Sequence, residues 1–163
     1  MVIFEELKEQ HRKSVIDIFN YYVENTNAAY PQEKVDLSAF DVFLENAKAI
    51  CGFAILDEDK RIIGFCQLKP YRPGETFKEA VEITYFLSSD STRKGIGTQI
   101  LAKLESEARK KGIKHILASI SGDNFPSLNF HKKNGFIECG RFVKIGYKLR
   151  KHFDIVYMQK DIE

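Results

Sequence analysis

Two hydrophobic periods alternate along the chain, one repeating at every second residue and the other at every third or fourth residue. Seven segments carry the alternation, or the short apolar run, that is typical of strands. They are residues 2–7, 49–56, 61–68, 81–87, 113–121, 136–144 and 151–160. The charged residues 57–60 separate the second segment from the third, which predicts an antiparallel hairpin with a four-residue connection.

Four further segments carry the spacing of amphipathic helices. Residues 11–24 and 96–111 form the two longer ones. A third helix starts near Ser38, and a short fourth helix starts near Pro126, which suits the first turn of a helix. Strands and helices therefore share one chain, as in the α+β (α/β) class.

Size and charge limit the function that this arrangement can have. A chain of 163 residues with 44% hydrophobic side chains is expected to form one domain over residues 1–163. The 25 basic and 23 acidic side chains are spread along the sequence, which argues against nucleic acid and membranes as partners. We find no secretory leader and no apolar run of about 20 residues, so the expected location is the cytoplasm.

The three cysteines predict no special chemistry. Cys51, Cys66 and Cys139 are far apart, lie in apolar runs and form no CxxC pair. We expect all three to be buried thiols that behave as small hydrophobic residues. Neither a disulfide nor a metal site is expected.

A glycine pair between the strand of residues 81–87 and the next helix carries the first chemical signal. Gly95 and Gly97 have no Cβ to keep a ligand away from the backbone N–H groups. The helix that follows points its positive dipole end at the same place, and Arg93 and Lys94 add charged donors. The segment therefore predicts a phosphate or pyrophosphate site.

Two common phosphate motifs do not fit this segment. A dinucleotide fold needs a third glycine or alanine, and Ile100 occupies that position. A P-loop needs lysine and then a hydroxyl residue after its last glycine, whereas Thr98 and Gln99 follow here. Both motifs are therefore excluded.

Residues 92–97 (TRKGIG) instead resemble the Q/R-x-x-G-x-G/A signature of the GCN5-related N-acetyltransferases (GNAT), with Thr92 in place of Gln or Arg. Residues 124–136 resemble the second motif of that family. Over nearly the full chain the sequence is most similar to the phosphinothricin and methionine sulfoximine acetyltransferases. Supporting positions are Glu82, Asn124, Pro126, Ser127, His131, Gly135, Gly146, Lys148, Asp154 and Gln159.

This resemblance implies a GNAT fold, with a mixed, mostly antiparallel sheet of about six to seven strands, splayed central strands and about four flanking helices. It also implies acetyl-coenzyme A (acetyl-CoA) as co-substrate, no metal, and a homodimer. The pantetheine arm would add along residues 84–87 like an extra strand. The expected cofactor-binding residues are Thr84, Tyr85, Phe86, Leu87, Thr92, Arg93, Lys94, Gly95, Ile96, Gly97, Thr98, Asn124, Ser127 and Lys133.

The resemblance further implies direct acetyl transfer to a small-molecule amine, the α-amine of an amino acid or analogue. Glu82 is the expected general base. His131 stands where many members have a tyrosine, and it could protonate the departing thiolate if charged or hydrogen-bond it if neutral. The expected substrate-binding residues are Tyr30, Arg72, Phe77 and Lys148.

Two departures from the subfamily pattern fall on the acceptor side. His152 replaces a tail tryptophan, and Gly74 replaces a frequent arginine. A polyamine, an aminoglycoside or a protein N-terminus is therefore an alternative acceptor, although the first two would favour a strongly acidic pocket. A non-catalytic acetyl-CoA sensor is the alternative outside the enzyme class, and Glu82 argues against it.

Overall fold

The computed structural model describes residues 1–163 and contains seven strands and four α-helices. The strands are β1 (Ile3–Glu6), β2 (Cys51–Leu56), β3 (Ile62–Pro70), β4 (Ala80–Leu87), β5 (His115–Ser121), β6 (Ile137–Lys148) and β7 (Lys151–Asp161). The helices are α1 (Arg12–Asn25), α2 (Phe40–Ala49), α3 (Ile96–Lys110) and α4 (Phe125–Lys133). No helix has both the length and the apolar character that crossing a membrane requires.

The strands form one sheet in the order β1-β2-β3-β4-β5-β7-β6. Neighbouring strands are antiparallel, except that β4 and β5 are parallel and are joined through α3. A parallel pair needs such a crossover because the chain must return to the starting edge. The predicted mixed, mostly antiparallel sheet with four helices is confirmed.

The parallel pair is short, and this shapes the centre of the sheet. β4 pairs with β5 over three positions only, the last being Glu82 opposite Leu117. Beyond that point β4 continues against β3 as far as Leu87, while β5 continues against β7 as far as Ser121. The two central strands therefore part at Glu82, which confirms the predicted splay.

A hydrophobic layer lies on each side of the sheet. On one side, Ile100, Leu104 and Ala108 form a fully buried stripe on α3, at the spacing of one helix face. This stripe packs over strand residues such as Ile116 and Met158. The helix is therefore fixed to the sheet along its length, and its first turn is held beside the end of β4.

On the other side, four phenylalanine rings close a circuit of contacts. Phe65 of β3 meets Phe43 and Phe86 at centroid distances of 5.1 and 5.8 Å. Phe19 of α1 meets the same two rings at 5.5 and 5.4 Å. These four contacts join α1 and α2 to the centre of the sheet and support the face of β4 that carries Phe86.

Several predicted boundaries differ from the structure. β3 runs on to Pro70, two residues past the predicted strand end at residue 68, so Lys69 lies in the strand. Proline is tolerated there because it stands at the strand end. β6 continues past the predicted end at residue 144 through a register shift, and the β2–β3 connection takes residues 57–61 instead of 57–60. Short irregularities of this kind leave no clear sequence signal.

The cysteines divide into two groups. Cys51 and Cys66 are buried as predicted, and burial raises the pKa of Cys51 to about 11. Cys139 is exposed, so its prediction as a buried thiol is wrong. It lies on β6, whose apolar run looks like a core strand in the sequence but forms the edge of the sheet.

Replacing Phe65 with alanine is expected to lower the free energy of unfolding by about 3–5 kcal/mol, because it removes a fully buried ring and leaves a cavity. Urea denaturation measures this change. The matched control is Phe125→Ala, whose ring is 65% exposed and whose loss is expected to change stability by about 0.5 kcal/mol or less. Equal losses for the two variants would contradict this position of the core.

Candidate functional site

Glu82 lies where β4 and β5 part. Its side chain is 27% exposed, so solvent and ligands reach a carboxylate that is otherwise supported by the sheet. Lys69 is its antiparallel partner on β3, with Nζ 3.7 Å from Glu82 Oε2. Beyond Glu82 the two strands enclose a gap, and Glu82 marks its vertex. The vertex therefore carries one carboxylate and one ammonium group side by side.

The open edge of β4 begins at this vertex. Residues 83–87 pair with β3 alone, so alternate backbone N–H and C=O groups face the gap. The Tyr22 hydroxyl donates to the Leu87 carbonyl at 2.5 Å and fixes the far end of the strand. An extended ligand with amide groups can add along such an edge.

Side chains of β4 alternate between the two layers. Phe86 packs against α1, with its ring 5.0 Å from that of Tyr22. Tyr85 faces α4, with its ring 6.3 Å from Phe130 and 5.9 Å from His131. Burial raises the pKa of Tyr85, so its hydroxyl stays protonated at neutral pH. The predicted positions 84–87 thus line the gap mainly through their backbone.

The glycine loop presents backbone donors that have no partner. The N–H groups of residues 93–98 donate to no backbone carbonyl, and no side chain caps the start of α3. Positive φ angles at Arg93 (64°) and Gly95 (74°) turn the loop so that successive N–H groups converge. A Cβ on Gly95 would meet no atom within 4 Å. A pyrophosphate group fits this open cradle of unpaired donors.

The other residues of the loop take different positions. Arg93, Lys94 and Thr98 are exposed beside the cradle, whereas Ile96 is buried and fixes the first turn of α3. The Thr92 hydroxyl donates to the Ser89 carbonyl at 3.2 Å, so it closes the preceding turn. Charge for an anion therefore comes from Arg93 and Lys94.

Gly97 is needed for a packing contact and not for a positive φ angle. A Cβ on Gly97 would lie 3.1 Å from the Phe130 ring. The missing side chain lets α4 approach the first turn of α3. The two segments that the sequence singled out therefore meet at this contact.

Asn124 starts α4. Its Oδ1 accepts a hydrogen bond from the Ser127 N–H at 3.3 Å, which satisfies one of the free donors of the first turn. The side-chain Nδ2 of Asn124 keeps its donors for a ligand. Lys133 lies at the other end of the helix, where it is exposed.

His131 is buried within α4, at 3% exposure. Its Nδ1 lies 2.7 Å from the Ser127 carbonyl, which can only accept, so Nδ1 carries the proton. Burial lowers the pKa of His131, so the ring is neutral at pH 7 and Nε2 is an acceptor. In this state the histidine accepts a hydrogen bond more readily than it donates a proton.

Tyr30 covers the same face of the sheet as Glu82. Its hydroxyl lies 3.2 Å from Ser119 Oγ, and its ring stacks on Phe153 with centroids 6.3 Å apart. Burial raises the pKa of Tyr30, and the nearby carboxylate of Glu82 adds to the rise. Tyr30 and Glu82 therefore border one space in front of the splay.

Two buried hydrogen bonds hold the loop that carries Tyr30. The Ser121 hydroxyl donates to the Asn27 carbonyl at 2.6 Å, and Lys148 Nζ donates to the Ala29 carbonyl at 2.6 Å. Lys148 is 2% exposed, and burial lowers its pKa. The structure thus places Lys148 behind the loop, where it positions Tyr30.

Arg72 and Phe77 both contact the ring of Tyr71. The Arg72 guanidinium lies 5.3 Å from the centroid of the Tyr71 ring, and Phe77 meets the same ring edge-on at 5.6 Å. The Tyr71 N–H donates to the Ala80 carbonyl at 3.2 Å, which places the cluster just before the start of β4. The cluster therefore lies at the end of β4 where that strand is still paired with β5, two residues before Glu82.

Sequence reasoning missed three residues of the site. Lys69 could not be found because the sequence at the end of β3 is typical of a loop. Ser119 could not be found because its sequence context does not distinguish it from other polar residues of β5. Tyr22 looks like part of the helix stripe, and its bond to Leu87 follows only from the packing of α1 on β4. Only strand register and helix packing, which the sequence does not state, bring these residues together.

A cleft of about 650 Å³ lies outside this arrangement, between the β2–β3 connection and the glycine loop. Its lining includes four carboxylates, those of Asp57, Glu58, Asp59 and Asp90, which outnumber the basic side chains of Arg61 and Lys94. The carboxylates would repel a polyphosphate. The gap between β4 and β5 is therefore the better candidate site.

Comparisons with known proteins agree with this geometry. A model of the acetyltransferase (GNAT) family matches residues 15–136. The chain is 30% identical over 152 residues to the L-methionine sulfoximine/L-methionine sulfone acetyltransferase of Pseudomonas paraeruginosa. That alignment covers 91% of this chain and 88% of the relative.

Two solved structures show the same fold. A ribosomal-protein-alanine N-acetyltransferase from Brucella melitensis is 30% identical, with a TM-score of 0.87 over 98% of this chain and 99% of its own. A phosphinothricin acetyltransferase from Sinorhizobium meliloti, solved in complex with acetyl-CoA, is 22% identical, with a TM-score of 0.92 over 98% of this chain and 88% of its own. The second likeness supports the fold alone.

The contact between Gly97 and Phe130 predicts a coupled pair of substitutions. Gly97→Ala alone has to push the Phe130 ring aside, whereas in a Phe130→Leu background the added methyl group has room. We expect the effect of Gly97→Ala on the free energy of unfolding to be more favourable by about 1 kcal/mol in the second background. Urea denaturation of the four proteins measures this coupling.

Gly95→Ala is the control for that cycle. Its cost comes from a positive φ of 74° and not from Phe130, so Phe130→Leu is expected to leave the cost unchanged. If Gly97→Ala had the same effect in both backgrounds, the proposed contact would not exist in solution.

Proposed function

Because the chain belongs to the acetyltransferase (GNAT) family, we propose that it transfers the acetyl group of acetyl-CoA to the α-amine of a small amino acid or analogue. One observation carries the proposal. A partly exposed carboxylate, Glu82, lies at the vertex of an open strand edge, and a cradle of unpaired N–H groups lies at the other end of that edge.

The two ends of the gap suit the two ends of the co-substrate. The cradle of residues 93–98, with Arg93 and Lys94, holds the pyrophosphate. The edge of β4 hydrogen-bonds the pantetheine amides, and Asn124 Nδ2 donates from the opposite wall. Ser127 and Lys133 belong to the same wall on α4. Bound in this way, acetyl-CoA supplies an already activated acyl group.

Glu82 removes the proton that makes the incoming amine an ammonium ion. The carboxylate accepts this proton directly or through one water molecule, which leaves the amine lone pair free to attack. Positioning does most of the remaining work, because both reactants are held in line. The N–H groups of Tyr85 and Leu87, which point away from β3, face the reacting carbonyl and stabilise the negative charge on its oxygen.

We assign His131 a positioning role. Its only N–H is used by the Ser127 carbonyl, and its burial disfavours the charged ring. The ring therefore supports α4 and Tyr85 against the gap. A thiol has an ordinary pKa near 8.5, so the thiolate can leave without a dedicated acid and takes up the second proton, which the attacking nitrogen loses as the amide forms.

The acceptor enters on the side of Tyr30. Arg72 and Phe77 border this side at the start of β4, and Lys148 holds the loop that carries Tyr30. A second acceptor class has one observation in its favour, since the Brucella structure that is 30% identical is called a ribosomal-protein-alanine N-acetyltransferase. A peptide N-terminus is therefore the alternative acceptor.

Acetyl-CoA consumption, measured as release of free thiol, tests the proposal. The acceptors are L-amino acids, methionine sulfone, methionine sulfoximine, phosphinothricin, spermidine and a short peptide with a free N-terminus. We expect release with the amino acids or their analogues. Release with the peptide or spermidine alone would overturn the proposed acceptor. If no acceptor caused thiol release although acetyl-CoA binds, the non-catalytic acetyl-CoA sensor would be favoured.

In the same assay, Glu82→Gln is expected to lower kcat by about 10²- to 10⁴-fold, because the variant has no base. Binding of coenzyme A, measured by calorimetry, should stay unchanged because the cradle is intact. Glu79→Gln is the matched control, since Glu79 is 46% exposed, pairs with Lys114 and precedes β4. A Glu82→Gln enzyme as active as this control would refute the base role.

A cytoplasmic homodimer is also part of the proposal. The reducing cytoplasm suits three free cysteines. The exposed edge strand β6 supports the dimer, because it carries apolar side chains that are more than half exposed, and unpaired edges of this kind invite pairing with another chain. They are Ile137, Phe142, Val143, Ile145 and Tyr147.

The dimer predicts a clear change in mass. Sedimentation at micromolar concentration is expected to show a dimer for the unmodified chain and a monomer for Ile145→Lys, because the lysine puts a charge into an apolar contact. Val42→Lys is the control, since Val42 is 56% exposed on α2. A monomer at every concentration of the unmodified chain would overturn the dimer.

A further inference from the structure

The sheet surface beside Glu82 carries more polar groups than a proton acceptor needs. Gln67 and Lys69 on β3 lie directly opposite Thr84 and Glu82 on β4. Directly opposed residues of antiparallel strands point to the same face, as do residues two apart on one strand. The four side chains therefore form one polar patch at the vertex of the gap.

The ion pair in this patch is loose. Charge-assisted hydrogen bonds between ammonium and carboxylate groups are usually 2.7–2.9 Å long, whereas Lys69 Nζ and Glu82 Oε2 are 3.7 Å apart. Their side chains are 38% and 27% exposed. Each group thus keeps free hydrogen-bonding positions and can bind a ligand without first leaving a tight partner.

Gln67 provides an independent sign of a polar ligand. It is 1% exposed, and its Oε1 has no hydrogen-bond partner. A buried acceptor without a donor costs free energy, so such groups usually have a ligand or water to satisfy them. Gln67 lies opposite Thr84, which is two residues along β4 from Glu82. The ammonium group of an acceptor bound at Glu82 would bring N–H donors close to the Gln67 Oε1.

We infer that Lys69 binds the carboxylate of the acceptor while Glu82 binds its ammonium, so that Lys69 selects amines that carry an adjacent carboxylate. This rests on the proposed function and specifies its substrate class. An amino acid carries both charges on a single carbon, so it can contact both members of a side-by-side pair at once. A polyamine or a peptide N-terminus has no adjacent carboxylate and would leave the Lys69 charge unmatched.

The test compares one amino acid with its own amide, using whichever amino acid the unmodified enzyme acetylates best. Removing the charge of the carboxylate is expected to lower kcat/KM by about 10- to 100-fold, because a hydrogen bond between charged groups is lost. In Lys69→Met this difference should almost disappear, through loss of activity on the acid. Lys69→Arg should keep most of the difference, since it retains the charge.

Lys114→Met is the matched control, because Lys114 is also a partly exposed lysine paired with a glutamate, at 42% exposure and 3.2 Å. It should keep the full preference for the acid. An equal fall on acid and amide in Lys69→Met would mean that Lys69 only positions Glu82, and no change would mean that it has no part. Either result overturns the inference.

The same assay separates this inference from the function on which it rests. An unmodified enzyme that acetylates only peptides or polyamines overturns both. An unmodified enzyme that acetylates amino acids but shows no difference between acid and amide overturns only the role of Lys69.

Discussion

The structure depends on a backbone hydrogen-bonding constraint at the centre of the sheet. β4 is paired along its length with β3, and β5 with β7, but the two strands share only three paired positions. Backbone groups on the open edge still need partners. Whatever occupies the gap must supply donors and acceptors at strand spacing, so the sheet is completed by a ligand instead of by another strand.

This constraint also separates the charges of the site. Residues 83–87 extend over about 17 Å between the carboxylate of Glu82 and the glycine loop. The donors for phosphate lie at one end, and the Lys69–Glu82 pair lies at the other. A ligand that carries phosphate is thus oriented by its charge before any detailed contact forms, because the glycine loop with Arg93 and Lys94 is cationic whereas the Lys69–Glu82 pair has no net charge.

The fold could be predicted largely from the sequence, since the order of strands and helices and the glycine loop follow from local patterns. The predictions were least accurate where tertiary structure overrides such patterns. β6 looks like a core strand by its apolar residues, yet it is the edge of the sheet, and Cys139 is exposed there. Lys69 follows an apolar run and precedes a proline, so it looks like a loop residue until the β3–β4 register places it beside Glu82.

The contact of Phe130 with Gly97 has a consequence for the stability of the ligand site. α3 and α4 are far apart in sequence and come from different crossovers, yet the ring of one lies on the first turn of the other. Fraying of that turn would remove the support of α4, and loss of α4 would expose the turn. Opening of the phosphate cradle is therefore expected to be coupled to loss of the wall of the gap, so that a ligand held at either end would order both.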